Sequence, residues 1–318
     1  MSKRTNQILA GVLLLQITLG VIVFWPSSNA AEAQPLLPDV TAEDVTGISV
    51  MNAEEEQILV EKVNGEWVLP QADNYPVREE KAPNFLEKVL NVTTERLVTR
   101  TESSQKRLQV DDEDFQRLVT LYTTDSTYAF YIGSSPSYGR AHVRLQGESE
   151  TYLTDEISSS DASVRADAWV DTQYVSVDPN DVVRMTLENP NGEFVFEQDD
   201  DGWSYLGLGP DEEVNETMMQ NVVFRASSIT LLRPLGKEEK EEYGLDDPTA
   251  VVTLETEEKT VTLTIGGLSE NDYYYIKSSE SPYYVEASKN ILDSNLINKT
   301  HEDFIKEPPT PTPENGGE

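Results

Sequence analysis

The chain has 318 residues, enough for two ordinary domains, and 58 Asp and Glu against 24 Lys and Arg give a formal net charge of −34. Such a surface repels DNA, RNA and anionic lipid, so nucleic acid is not an expected partner. The chain has no cysteine, which rules out disulfides, thiolate metal sites, cysteine nucleophiles and a lipid-modified cysteine anchor.

Residues 1–7, with Lys3 and Arg4, read as a cytoplasmic leader. Residues 8–25 are an apolar run broken only by Gln16, Thr18 and two glycines, long enough to span a bilayer core. The positive-inside rule puts the N-terminus in the cytoplasm and the bulk of the chain outside the bacterial cytoplasmic membrane. Ser28-Asn29-Ala30 and Ala31-Glu32-Ala33 are small-x-small sites that a signal peptidase could cut. The length of the run and Trp25 at its interfacial end favour a retained single-pass anchor. Residues 26–46 form a stalk broken by Pro35 and Pro38, and 305–318 read as an extended Pro/Thr/acidic tail.

Between stalk and tail the sequence follows one plan twice, over residues 47–178 and 182–304, with a short hinge at 177–180. Gly47-Ile48-Ser49-Val50 is answered by Val183-Arg184-Met185-Thr186-Leu187, and Gly65-Glu66-Trp67 by Asp201-Gly202-Trp203. The strand ending Tyr131-Ile132-Gly133 is answered by Thr264-Ile265-Gly266, and Thr151-Tyr152-Leu153 by Tyr283-Tyr284-Val285. Asn64-Gly65 and Asp201-Gly202 are hairpin-turn dipeptides, and Glu258-Lys259 turns a third hairpin. Helical spacing predicts helices over 77–90 and 211–226, the second with Val214, Met218, Val222 and Phe224 near its buried face. Glu212 and Glu213 at its start suit the helix dipole. A short glycine-capped helix is expected over 236–244, with a counterpart near 103–108. The fold class is α+β: a tandem duplication of a mostly antiparallel sheet with helices on one face, behind one transmembrane helix.

The second copy carries Tyr243-Gly244-Leu245-Asp246-Asp247-Pro248, for which the first has only Leu108-Gln109-Val110-Asp111. With the Gly-Trp hairpins at Trp67 and Trp203, the Ile-Gly strand ends at Gly133 and Gly266, and the Tyr-Tyr-Val strand, this stretch resembles the bacterial family called domain of unknown function 4340. The resemblance implies an extracytoplasmic protein with one N-terminal membrane helix. It also implies an association with ABC transporters of the gliding-motility-like auxiliary kind. It carries over structural positions (Trp67, Trp203, Tyr243, Gly244, Leu245, Asp246, Pro248, Gly133 and Gly266) and no catalytic ones.

Catalytic and metal signatures are weak. A nucleophile needs a base poised near neutral pH, and the only histidines are His142 and His301. His142 alternates with Arg140 and Arg144 on a face expected to be solvated, and His301 is expected at the surface. The acidic runs 54–56, 111–114 and 199–201 fall at turns, and Asp199-Asp200-Asp201-Gly202 lacks the ligand spacing of a calcium loop. No catalytic residue, cofactor or metal is assigned. The feature fit for recognition is aromatic. Tyr273 and Tyr275 share one face of a strand with Tyr274 on the other, and Tyr283 stands on the neighbouring strand. The expected function is an acidic, membrane-anchored accessory or scaffold protein that is not an enzyme. Its partner would be a membrane complex, for instance an ABC-transporter permease. A module binding cell-wall glycan or peptide is the alternative, and an acidic-residue hydrolase a distant third.

Overall fold

The computed structural model of the protein describes residues 33–199 and 202–306. The expected leader and anchor, most of the tail, and Asp200-Asp201 lie outside the described residues. The first sheet contains β1 (Val45–Asn52), β2 (Gln57–Val63), β3 (Glu66–Leu69), β4 (Tyr75–Pro76), β5 (Leu97–Thr99), β6 (Arg117–Thr123), β7 (Thr127–Ile132), β8 (Ala141–Leu145) and β9 (Thr151–Thr154). Their order is β4-β3-β2-β1-β6-β7-β8-β9-β5. The second contains β10 (Gln173–Ser176), β11 (Val182–Asn189), β12 (Gly192–Asp199), β13 (Gly202–Tyr205), β14 (Ser228–Gly236), β15 (Ala250–Thr256), β16 (Thr260–Leu268), β17 (Tyr273–Ser278) and β18 (Tyr284–Ser288). Its order is β10-β14-β18-β17-β16-β15-β11-β12-β13. Every pairing is antiparallel, and strand exceeds helix by 42% to 19%, so the fold is mostly β rather than evenly α+β. The first lobe, expected over 47–178, gives its last strand away: β10 pairs with β14 of the second sheet.

Read from opposite ends, eight strands of each sheet share one order, β4 and β10 having no counterpart, and the ladders of the eight match residue for residue. Ile48 lies between Val60 and Leu121, as Met185 lies between Phe196 and Leu254. Ile132 faces Val143, as Ile265 faces Ile276. Alternation makes the core, with Ile48, Val50, Ile58, Val60, Met185, Phe194 and Phe196 all buried. Among the described residues three α-helices have about two turns or more: α1 (Lys81–Leu90), α2 (Glu102–Leu108) and α3 (Glu216–Ser227). α1 buries Phe85, Leu86 and Val89 at helical spacing. Phe85 meets Trp169 edge-on at 5.3 Å. Trp169 is fully buried, and its indole N–H donates to Ser163 O at 2.8 Å.

Three helix expectations are corrected. α1 starts at Lys81, four residues later than expected. α3 starts five residues later than expected and buries Met219, Val222, Val223 and Ala226, while Phe224 is exposed. The acids at 211–213 therefore precede the helix. Asn215 caps it instead, its side-chain oxygen accepting from Met218 N–H at 3.2 Å. The run 236–244 holds only a 3-10 turn, Glu241–Tyr243, because Gly236 ends β14 and Gly244 reverses the chain at φ 63°. Gln109 takes the same left-handed conformation at φ 56° in the first lobe, so the glycine's role there is filled by glutamine. Asn64 and Gly65, at φ 53° and 91°, make the expected two-residue hairpin turn.

Glu55, exposed in the β1–β2 turn, also holds a left-handed φ of 64°. Glu55→Gly is expected to raise stability by about 0.5–1 kcal/mol, because glycine removes the Cβ clash of that region. A shift of the urea midpoint to higher concentration at unchanged slope would confirm it; no shift or a fall would refute it.

Candidate functional site: an aromatic cleft between the sheets

A cleft of about 750 Å³ opens between the lobes. Its floor is a row of side chains across three strands of the second sheet. Arg233 on β14 stands opposite Glu286 on β18, which stands opposite Tyr275 on β17. Tyr273 lies two residues along the same face as Tyr275, and both line the cleft. Tyr274 points to the other side, where it is buried and donates to Asp293 Oδ1 at 2.8 Å. The expected split of the three tyrosines between faces is what the strand displays. The first lobe supplies Gln71, Ala72 and Arg165 to the opposite wall.

Glu286 has 0% exposure, and Arg233 clamps it with two bonds of 2.9 Å each, from Nε and Nη2. That fork satisfies both carboxylate oxygens. Tyr243 is packed behind the row, its ring 4.6 Å from that of Tyr275 and 5.5 Å from that of Tyr284. The family-motif turn puts it there. Gly244 supplies the left-handed reversal, and Gly266 lets the turn approach so closely that a Cβ would sit 2.0 Å from Tyr243 O. Thr249 Oγ1 donates to Gly266 O at 2.7 Å. Leu245 and Pro248 are half-buried and Asp246 is exposed. Gly133 does the same work in the first lobe, where a Cβ would lie 2.2 Å from Leu108 O. Trp67 and Trp203 are partly buried against the core.

Tyr283 does not join the other two tyrosines. It sits at the seam between the lobes, ring to ring with Tyr75 at 4.6 Å, and donates its hydroxyl to Asn74 O at 3.1 Å. Sequence alternation placed it on a strand, but Tyr283 lies just before β18, and its contact with Tyr75 is made by chain more than 200 residues away.

Burial pushes the phenols of Tyr75, Tyr274 and Tyr284 up to about 12. Tyr274 is raised further by its bond to Asp293, and Tyr284 by its bond to Glu239 at 2.8 Å. A phenol with a raised folded pKa stabilises the fold fully below the unfolded value of about 10 and loses that contribution as pH rises through the folded value. Stability is therefore expected to fall between pH 10 and about 12, in step with the 295 nm absorbance of ionising tyrosine. Free titration near 10 with no loss of stability would refute this.

The histidines differ from expectation. His142 and Arg144 are buried, not solvated. His142 Nδ1 lies 2.7 Å from Ser134 O, and Arg144 donates to Val110 O at 2.6 Å and Glu148 O at 2.8 Å while pairing with Asp112. His301 is half-buried, with Nε2 2.8 Å from Glu212 and Nδ1 3.1 Å from the Tyr205 hydroxyl. Gly209 N–H, with lesser help from His301, holds the Glu212 carboxyl below its usual pKa range. This trio ties the 206–213 loop to the C-terminal turn. Among the described residues no group of three or more His, Asp or Glu could hold a metal ion, and no helix is long and apolar enough to cross a membrane. Sequence reasoning missed Arg233 and Glu286. The available signal was one charge of each sign inside two otherwise apolar runs, Leu231-Leu232-Arg233-Pro234-Leu235 and Tyr284-Val285-Glu286-Ala287.

The family model described as "Domain of unknown function (DUF4340)" matches residues 67–236 and 230–311. No curated protein and no solved structure matches the chain. The family match covers well over half of the chain, which therefore belongs to that family.

Proposed function

We propose that this DUF4340-family protein is a non-catalytic docking protein. A single N-terminal membrane helix (residues 8–25) holds it at the bacterial cytoplasmic membrane with its bulk outside. Its two lobes, a tandem duplication with helices over one face of each sheet, engage a membrane complex of the ABC-transporter type through the interlobe cleft. The observation that carries this reading is the cleft itself: rigid tyrosine faces beside the Arg233–Glu286 pair, whose charges are already matched. Aromatic rings with a polar tip and a fixed guanidinium are the groups enriched where proteins recognise one another. Crosslinking in intact cells from a photoreactive residue at Tyr273, followed by mass spectrometry, tests it. Recovery of a transporter permease is the expected result; repeated recovery of no membrane protein would overturn it.

A second reading is a binding module for cell-wall glycan or peptide. It is favoured by Tyr273 and Tyr275, which expose ring surface two residues apart on one face. Tyr273→Ala with Tyr275→Ala should then abolish retention on cell-wall material, and unchanged retention would remove this alternative.

A further inference from the structure

The matched ladders identify which surface of the first lobe corresponds to the one that the lobes use on each other. Tyr152 faces Val143 and Leu97 in the first sheet; Val285 faces Ile276 and Pro234 in the second. Thr99 faces Thr151 as Gly236 faces Tyr284. Leu97 is thus the counterpart of Pro234, Val98 of Leu235, and the flanking Arg96 and Arg100 of Arg233 and Lys237. Both stretches read basic, apolar, apolar, small, basic.

In the second lobe this stretch is covered. The turn that follows β3 in the first lobe packs onto it: Lys237 N–H donates to Asp73 Oδ2 at 2.6 Å, and Tyr75 and Asn74 hold Tyr283. Pro234 and Gly236 are buried. In the first lobe the same stretch is bare, with Leu97 41% and Val98 46% exposed on the edge strand β5.

The covering element also has a counterpart. Trp67 faces Lys62 on β2 as Trp203 faces Gln198 on β12, so the turn after β3 corresponds to the loop after β13. That loop carries Leu206, 56% exposed, followed by Asp211, Glu212 and Glu213. The Glu212–His301–Tyr205 contacts hold it in shape. The molecule therefore has one lobe–lobe joint made and both halves of an equivalent joint unmade. The unmade halves cannot close on each other within one chain if they repeat the geometry of the first, since that relation is head-to-tail.

We propose that copies of this chain associate head-to-tail, the 206–213 loop of one copy seating on the β5 edge of the next. Arg96 and Arg100 already pair with Asp155 and Glu150, and Glu212 and Glu213 with His301 and Lys306, so the contact rests on the matched place of the two surfaces in the repeat and on the exposed apolar side chains of Leu97, Val98 and Leu206. The net charge of −34 opposes association in general, so the contact needs the local concentration of a membrane surface. Exposed apolar residues on a sheet edge are otherwise an aggregation hazard, and a specific neighbour removes it.

The absence of native cysteine makes the test clean. Val98→Cys and Leu206→Cys chains, full length and in membranes, are treated with a short bismaleimide. Neither alone should form a crosslinked dimer, a mixture should form one, and the double variant should give a ladder. Adding Leu97→Asp to the Val98→Cys chain should lower the mixed dimer about tenfold or more. All of these positions are exposed, so the variants should fold, and an unchanged melting temperature checks that they do. Val98→Cys linking to itself, no link in the mixture, or equal linking of Leu206→Cys to a Tyr138→Cys control would each overturn the proposal.

Discussion

Gly266→Ala is expected to cost about 3 kcal/mol or more of folding stability, at the upper end of what overpacking does. The new Cβ would stand 2.0 Å from Tyr243 O and 3.1 Å from Tyr243 C, and both are backbone atoms. A flexible side chain could turn aside; a carbonyl at the end of a 3-10 turn cannot without moving the turn. Tyr243 would then leave the rings of Tyr275 and Tyr284, so the cleft should lose its shape together with stability. Gly133→Ala meets Leu108 O at 2.2 Å and Gln109 O at 2.5 Å, and should cost a similar amount in the first lobe. Urea unfolding of both variants, with tyrosine fluorescence as a second probe, checks this. A loss below about 1 kcal/mol in either would mean that the turn yields more easily than close packing allows.

Arg233→Ala should lower stability by about 3 kcal/mol at neutral pH, near the lower bound for breaking a buried ion pair from one side. Glu286 is wholly buried and would keep its desolvation cost without its partner. The lower bound applies because the Arg233 side chain is 50% exposed, so water can reach the vacated space. Glu286→Leu combined with Arg233→Met should recover most of the loss, since replacing a whole buried pair by apolar side chains is often neutral. The thermal midpoints of the two single variants and the double variant form the cycle. If Arg233→Ala melts like the parent, the pair does not hold the floor of the cleft. If the double variant is as unstable as the single, the loss is one of packing rather than charge.

The family, the repeated plan, the strands and most of the turns are legible in the residues alone. Each of these rests on near neighbours. Alternation at period two places Tyr273 and Tyr275 on one face, Asn64-Gly65 turns a hairpin by its own backbone preference, and Gly244 admits the left-handed reversal without a Cβ clash. Local signals were weaker where tertiary contacts compete. The acids at 211–213 look like a helix start, but Glu212 finds Gly209 and His301 instead, and Asn215 takes the cap. His142 and Arg144 look like a solvated face, but the loop carrying Val110 and Asp112 folds over them.

The place of the site comes from pairings between distant parts of the chain. Arg233 and Glu286 are 53 residues apart and meet because β14 and β18 pair. Tyr283 leaves its neighbours for Tyr75 because the two lobes press together there. β10 joins the sheet that follows it rather than the one before. Pairing across such separations depends on which apolar faces bury each other, a property of the whole fold that no short window of residues contains. The same global fit leaves Leu97 and Val98 bare while covering Pro234, although the two stretches are alike in sequence pattern.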